Sequence, residues 1–172
     1  MISSHAAPDA MCPALAKQLP SLDAKQAAVA LVERARRLRA SLEAGTAAPL
    51  RGRHVAIAAE RHDTPSARLF ERAASSLGAR VSHIGPDAVA LSPPRQETAA
   101  RILGSLYDAI DFIPLPPECA LSLQDAAGVP IFADLGGERS PLLSLLTTQG
   151  QPAEREAELL ALMQAVLVDA MR

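Results

Sequence analysis

From Ser21 onward, apolar positions alternate between helical stripes and short continuous runs. Ala28, Leu31, Val32, Ala35, Leu38 and Leu42 recur at spacings of three and four before Gly45, which predicts an amphipathic helix with a glycine stop. Val55 to Ala59 is a five-residue apolar run between turn residues and polar residues, the pattern of a buried parallel strand. Thr64 and Pro65 then suit the cap and first position of a helix whose apolar face is Leu69, Phe70, Ala73, Ala74 and Leu77, with Gly78 ending it. Val81 to Ile84 reads as a strand, Glu97 to Tyr107 as a helix, Ala109 to Pro114 as a strand, Leu121 to Ala127 as a short helix and Pro130 to Leu135 as a strand. Pro141 to Thr148 reads as a helix and Ala153 to Met171 as a final one, with Leu159, Leu160, Leu162, Met163, Val166, Leu167 and Ala170 on its apolar face. A stripe of this kind is ordinarily core or a docking surface. Sustained strand–helix alternation predicts an α/β fold, a three-layer α/β/α sandwich with a parallel sheet.

Met1 to Pro20 holds three prolines and little periodicity and is expected to be an irregular arm (1–20). Residues 21–150 make the α/β domain, and 151–172 a terminal helix packing on it.

Composition narrows the function classes. At 172 residues, one domain can bury a core without metal or disulfides. Hydrophobic residues are 49%, charged residues 21%, and 17 basic against 19 acidic side chains leave a net charge of -2. Aromatics are only 2%, with no Trp, so stacking platforms for nucleic acid are missing and a nucleic-acid partner is not expected. Arg34, Arg36, Arg37 and Arg39 form a basic cluster that fits a solvated helix face better than a phosphate-binding patch. Cys12 and Cys119 belong to no metal-binding spacing, and the expected compartment is a reducing cytoplasm. No leader pattern and no run long enough to span a membrane is read in the chain, so export and membrane insertion are not expected. Neither a metal nor a cofactor is expected.

Ligands of open α/β sheets collect beyond the carboxyl ends of the strands, which directs attention to Glu60–Ala67, Gly85–Pro94, Pro114–Glu118 and Gly136–Ser140. None contains a dinucleotide fingerprint or a Walker loop. Glu60 and Asp63 have no acidic companion in the sequence pattern apart from Asp134, which argues against an acidic metal pocket or a phosphoacceptor site. His54, His62 and His83 are dispersed and read as surface or packing residues. Thr64 with the following amides has two readings, a plain helix cap or an anion pocket. The cap is favoured, because Pro65 has no amide hydrogen and only Ser66, Ala67 and their neighbours can donate.

These same residues resemble the carbamoyl-phosphate-binding half of the aspartate/ornithine carbamoyltransferases. Leu50-Arg51-Gly52-Arg53-His54-Val55-Ala56 is similar to the family's L-x-G-K-x-x-A entry to its first strand. Glu60 to Gly78 runs without gaps against E-K-P-S-T-R-T-R-x-S-F-E-x-A-A-x-x-L-G, agreeing at Glu60, Thr64, Phe70, Glu71, Ala73, Ala74, Leu77 and Gly78. Glu97 to Ile110 resembles E-D-T-A-R-V-L-S-x-x-x-D-A-I, Gly128 to Ile131 resembles x-V-P-V-I-N, and Leu142 to Thr147 resembles L-A-D-L-L-T. Ala165-Val166-Leu167-Val168 resembles the A-V-L-V of the family's closing helix, so the resemblance implies the first domain joined directly to that helix, without the amino-acid-binding domain.

The functional motifs depart from the family. Its S-T-R-T-R is Asp63-Thr64-Pro65-Ser66-Ala67 here, with Arg68 one position late; its R-T is Ile113-Pro114; its H-P-C-Q is Gly137-Glu138-Arg139-Ser140; its G-[EK]-S is Pro93-Pro94-Arg95. Carbamoyl transfer needs preorganised positive charge and donors at the reacting carbonyl. A helix N-terminus supplies up to ~2 kcal/mol toward an anion, whereas micromolar affinity needs about 8 kcal/mol. No catalytic residue is therefore assigned. The resemblance leaves a remnant anion pocket at Thr64, Ser66, Ala67, Arg68, Arg139 and Ser140. It implies a carbamoyltransferase-like binding, assembly or regulatory module without catalysis. Its partners would be copies of itself, as a homo-oligomer (trimer), or a full-length carbamoyltransferase. Two alternatives stay open: a divergent carbamoyltransferase whose amino-acid site comes from a second chain, and a protein that binds a small anion or phosphometabolite.

Overall fold

A computed structural model describes residues 24–45, 48–85, 93–113, 115, 117–147 and 150–172. Strands β1 (His54–Ala59), β2 (Arg80–Ile84), β3 (Ala109–Ile113) and β4 (Ile131–Ala133) form one four-stranded sheet in the order β2-β1-β3-β4. Every pairing is parallel, with Val55 opposite both Val81 and Ala109, and Ile110 opposite Ile131. β1 and β3 are buried on both faces, which is why their sequences are almost unbroken apolar runs. β2 lies at an edge and mixes Arg80, Ser82 and His83 with Val81 and Ile84. The order reverses between β1 and β3, so their carboxyl ends open a crevice at a topological switch point.

Among the described residues five α-helices cover the sheet: α1 (Ala24–Glu43), α2 (Pro65–Ser76), α3 (Pro93–Leu106), α4 (Pro117–Ala127) and α5 (Pro152–Ala170), with a 3-10 helix over Pro141–Leu145. One face packs under α1, α2 and α5, in a core that includes Val55, Ile57, Phe70, Phe132, Leu162 and Met163. The opposite face packs under α3 and α4, around Ala56, Ala58, Ile110, Phe112 and Ile131. The result is the three-layer α/β/α sandwich that the alternation predicts. α5 is buried continuously from Ala161 to Val168 between α1 and α2, so its wide apolar surface belongs to the core. Its one buried amide, Gln164, donates to Ser76 Oγ at 2.7 Å, and Asp169 pairs with Arg34 of α1. Across the sheet, α3 and α4 approach so closely that a Cβ on Gly104 would collide with the Ala127 carbonyl.

The element boundaries differ from the periodicity at α3, α4, β4, the 3-10 helix and α5. α3 begins at Pro93 and α4 at Pro117, each four residues before the first residue the pattern assigns to it. Proline needs no amide partner in a first helical turn, so a Pro-rich stretch that reads as loop is already helix. β4 stops at Ala133 because Asp134 adopts a left-handed φ of 55°. Pro141–Leu145 closes as a short 3-10 helix, and α5 takes in Pro152. On α1, Arg34 pairs with Asp169 and Arg39 with Glu43, while Arg36 and Arg37 are exposed. The predicted arm 1–20, and residues 86–92 of the loop after β2, lie outside the described residues. No described helix is long and apolar enough to cross a membrane.

Candidate functional site at the switch point

The first turn of α2 sits beyond the end of β1. Thr64 has extended backbone (φ −71°, ψ 151°), and its Oγ1 accepts the Ala67 amide at 3.2 Å, so the hydroxyl is engaged as the helix cap. Ser66 turns toward the segment after β4 and donates its hydroxyl to Asp134. Ala67 is fully buried in the core under α2 and α5. Asp134 and Gly137 lie so close that a Cβ at position 137 would overlap the Asp134 carboxylate unless that side chain moved. Three residues further on, buried Ser140 caps the 3-10 helix by accepting the Leu142 amide at 3.3 Å.

Beneath this turn lies a carboxylate that the pattern analysis missed. Asp111 stands in the middle of β3 with no exposed surface, and its two oxygens accept the Leu135 amide at 3.2 and 3.3 Å. Burial pushes its carboxyl well above the usual carboxylate range. The Leu135 amide opposes this shift, the Asp134 charge adds to it, and the Asp134 amide opposes it. The sequence pattern considers Glu60, Asp63 and Asp134 at the strand ends; the structure adds Asp111, close enough to Asp134 to feel its charge. The only signal available was one acid in an apolar strand, at a position whose neighbours alternate between the two cores.

The six residues assigned to the remnant pocket do not share one space. Thr64, Ser66 and Ala67 start α2, and Ser66 reaches the turn that leads to Ser140. Arg68 points away from buried Ala67 and lines a cleft on the outer side of α2. Arg139 is exposed and makes no ion pair among the described residues. Asp63 is exposed too, and its carboxyl is held below the usual range by hydrogen bonds from Arg61 at 2.9 and 3.2 Å and by the charge of that guanidinium.

The histidines are less dispersed than their sequence positions suggest. His62 and His83 meet edge to face with centroids 4.6 Å apart, and His83 Nε2 lies 3.6 Å from Glu71. His54 donates to or accepts from Ser82 Oγ at 2.8 Å and packs against Tyr107. Among the described residues no three His, Cys, Asp or Glu side chains are arranged to hold a metal ion.

No protein-family model matches the chain. Solved structures do resemble it. The anabolic ornithine carbamoyltransferase from Campylobacter jejuni aligns over 74% of this chain with 21% identity and a TM-score of 0.57. The ornithine carbamoyltransferase from Burkholderia thailandensis aligns over 70% with 20% identity and a TM-score of 0.58. The fold is that of a carbamoyltransferase domain. A putative aspartate carbamoyltransferase from Trypanosoma cruzi adds the same likeness, at 21% identity over 70% of the chain and a TM-score of 0.52. The aligned part spans 41%, 42% and 40% of those three proteins, so this is a partial carbamoyltransferase-like domain. Within it, the position at which the resemblance expects the first phosphate-binding arginine is Pro65, exposed at the start of α2.

Proposed function

We propose that this chain is a noncatalytic carbamoyltransferase-like module whose role is binding, assembly or regulation. The observation that supports this is the inverted electrostatics at the switch point. Anion binding and carbonyl polarisation need cationic forks and free donors there. Instead, the Thr64 hydroxyl is used by the Ala67 amide, the Ser66 hydroxyl is used by Asp134, and buried Asp111 lies below them. A phosphate dianion brought to this turn would meet one or two carboxyl groups and a helix N-terminus worth up to ~2 kcal/mol. The module would act as a homo-oligomer, with a trimer as the expected form, or in a mixed assembly with a full-length carbamoyltransferase.

Two measurements test the reading. Titration calorimetry with carbamoyl phosphate and with inorganic phosphate is expected to give no saturable binding at submillimolar concentrations. Assays for carbamoylated ornithine or aspartate, with the chain alone and mixed with a full-length ornithine carbamoyltransferase, are expected to show no turnover attributable to it. Micromolar carbamoyl-phosphate affinity, or product formation that requires this chain's switch point, overturns the proposal.

A further inference from the structure

We propose that the cleft between the outer side of α2 and the first turns of α5 binds a small amphiphilic anion, an oxyanion headgroup on a short apolar chain, held by Arg68 and Arg155. The proposal goes beyond the reading of the switch point: the cleft starts beside it, at Asp63, Pro65 and Gly136, and runs outward along α2 to Arg72 and Arg155.

The cleft has a volume of about 580 Å³, within the range of small-molecule sites. Helical spacing builds both walls. Pro65, Arg68, Leu69 and Arg72 recur at three- and four-residue intervals on α2, as Pro152, Arg155, Glu156 and Leu159 do on α5. Each helix thus delivers an arginine to the cleft one turn after its opening proline. Leu69 and Leu159, both buried, form an apolar floor that Leu143 and Leu146 of the 3-10 segment extend.

The charges around this floor do not cancel. Arg72 is paired with Glu156 at 2.7 Å, and Asp63 with Arg61 at 2.9 Å. Asp63 also feels Arg68, more weakly than it feels Arg61. Arg68 and Arg155 make no ion pair within 4.0 Å among the described residues, which leaves two guanidinium groups on opposite walls of one apolar cleft. Guanidinium forks match phosphate and carboxylate geometry, and the leucines suit an aliphatic body. No aromatic side chain lines the cleft to stack a planar ring. Arg68 follows buried Ala67 by one residue, which turns its side chain about 100° around the helix, from the core to this cleft.

The test titrates the full chain with hexyl phosphate, hexanoate, hexanol and inorganic phosphate, following chemical shifts by NMR. Hexyl phosphate and hexanoate are expected to bind saturably, more tightly than inorganic phosphate or hexanol, and the tighter of the two identifies the headgroup. Arg68→Gln and Arg155→Gln are each expected to weaken that binding about tenfold, the equivalent of ~1.4 kcal/mol and the strength of one hydrogen bond to a charged group. Arg155→Lys should lose less, while Arg51→Gln, at an exposed arginine elsewhere, and Ser66→Ala should lose nothing. Unchanged melting temperatures of the glutamine variants establish that their loss is local. No saturable binding of either amphiphile, or binding that survives the double Arg68→Gln/Arg155→Gln substitution, overturns the proposal. Binding abolished by Ser66→Ala instead moves the anion to the switch point and overturns it equally.

Discussion

Asp111 and Asp134 occupy successive levels of one acidic column at the carboxyl end of the sheet. The lower carboxyl is fully buried on β3 and accepts the Leu135 amide; the upper one, on a left-handed residue just beyond β4, accepts the Ser66 hydroxyl. Leu135 follows Asp134 directly, so a single turn of backbone serves both groups. The charge on the upper residue raises the proton affinity of the lower.

Asp111 should therefore make stability fall as pH rises. Its folded-state pKa is raised, so the native state binds more protons than the unfolded chain. Its stabilising contribution is complete below the unfolded value of 3.8 and is lost as pH rises through the raised folded value. Asp111→Asn keeps an acceptor for the Leu135 amide and cannot ionise. Urea unfolding at acid and alkaline pH is expected to show the variant close to wild type at the acid end and more stable at the alkaline end. Each unit by which the folded pKa is raised corresponds to ~1.4 kcal/mol. Equal differences between the two proteins at both ends would contradict this.

Asp108 is expected to have the opposite pH dependence. Burial acts to raise its pKa, but the His54 amide at 2.8 Å and the Arg53 guanidinium at 2.7 Å together outweigh it, and the net shift is downward. Its contribution is present above 3.8 and is lost as pH falls through the lowered folded value. Asp108→Asn should cost about 1 kcal/mol at neutral pH, discounted for the partial exposure of the ion pair, and nothing once both states are protonated. Chemical denaturation of the variant across the acid range checks the convergence.

Local signals made much of this architecture legible. The run Val55 to Ala59 and the sequence from the Thr64 cap to the Gly78 stop are statements about burial and backbone geometry over a few residues, and both elements lie where those statements put them. The openings of α3 and α4 were not legible, because a proline pair marks a loop and a first helical turn equally well. The site was harder to read. Thr64 as a cap follows from its neighbours alone, but the meeting of Asp111 with Asp134 depends on the register of β3 beside β4. The meeting of His62 with His83 likewise depends on the parallel pairing of β1 with β2. Arg155 comes opposite Arg68 only because α5 folds back along α2, a tertiary fact without a local signature.

Gly104 is expected to be the least replaceable glycine. Its missing Cβ lets α3 pass against the Ala127 carbonyl, and backbone on both sides leaves no flexible group to yield. Gly104→Ala gains helix propensity of just under ~1 kcal/mol but forces the two helices apart, a cost of about 1–3 kcal/mol or more from overpacking. The net outcome expected is a lower melting temperature despite the better helix former. A variant as stable as wild type would show that α3 and α4 can separate freely.

Restoring charge at the start of α2 asks what limits anion binding at the switch point. Pro65 is exposed, so Pro65→Arg combined with Asp63→Ser restores one family arginine and removes the adjacent carboxylate at little structural cost, about 0.5–1 kcal/mol for the lost proline constraint. Ala67→Arg is a poor choice, since Ala67 has no exposed surface and a charge there would be buried without a partner. If the missing guanidinium is the limit, calorimetry should show inorganic phosphate binding about tenfold more tightly to the double variant than to wild type. If the acidic column is the limit, affinity should rise only when Asp111→Asn is added. Failure of the triple variant to gain affinity would mean that the Ser66–Asp134 contact closes the space an oxyanion needs, and Ser66→Ala in that background should then reopen it.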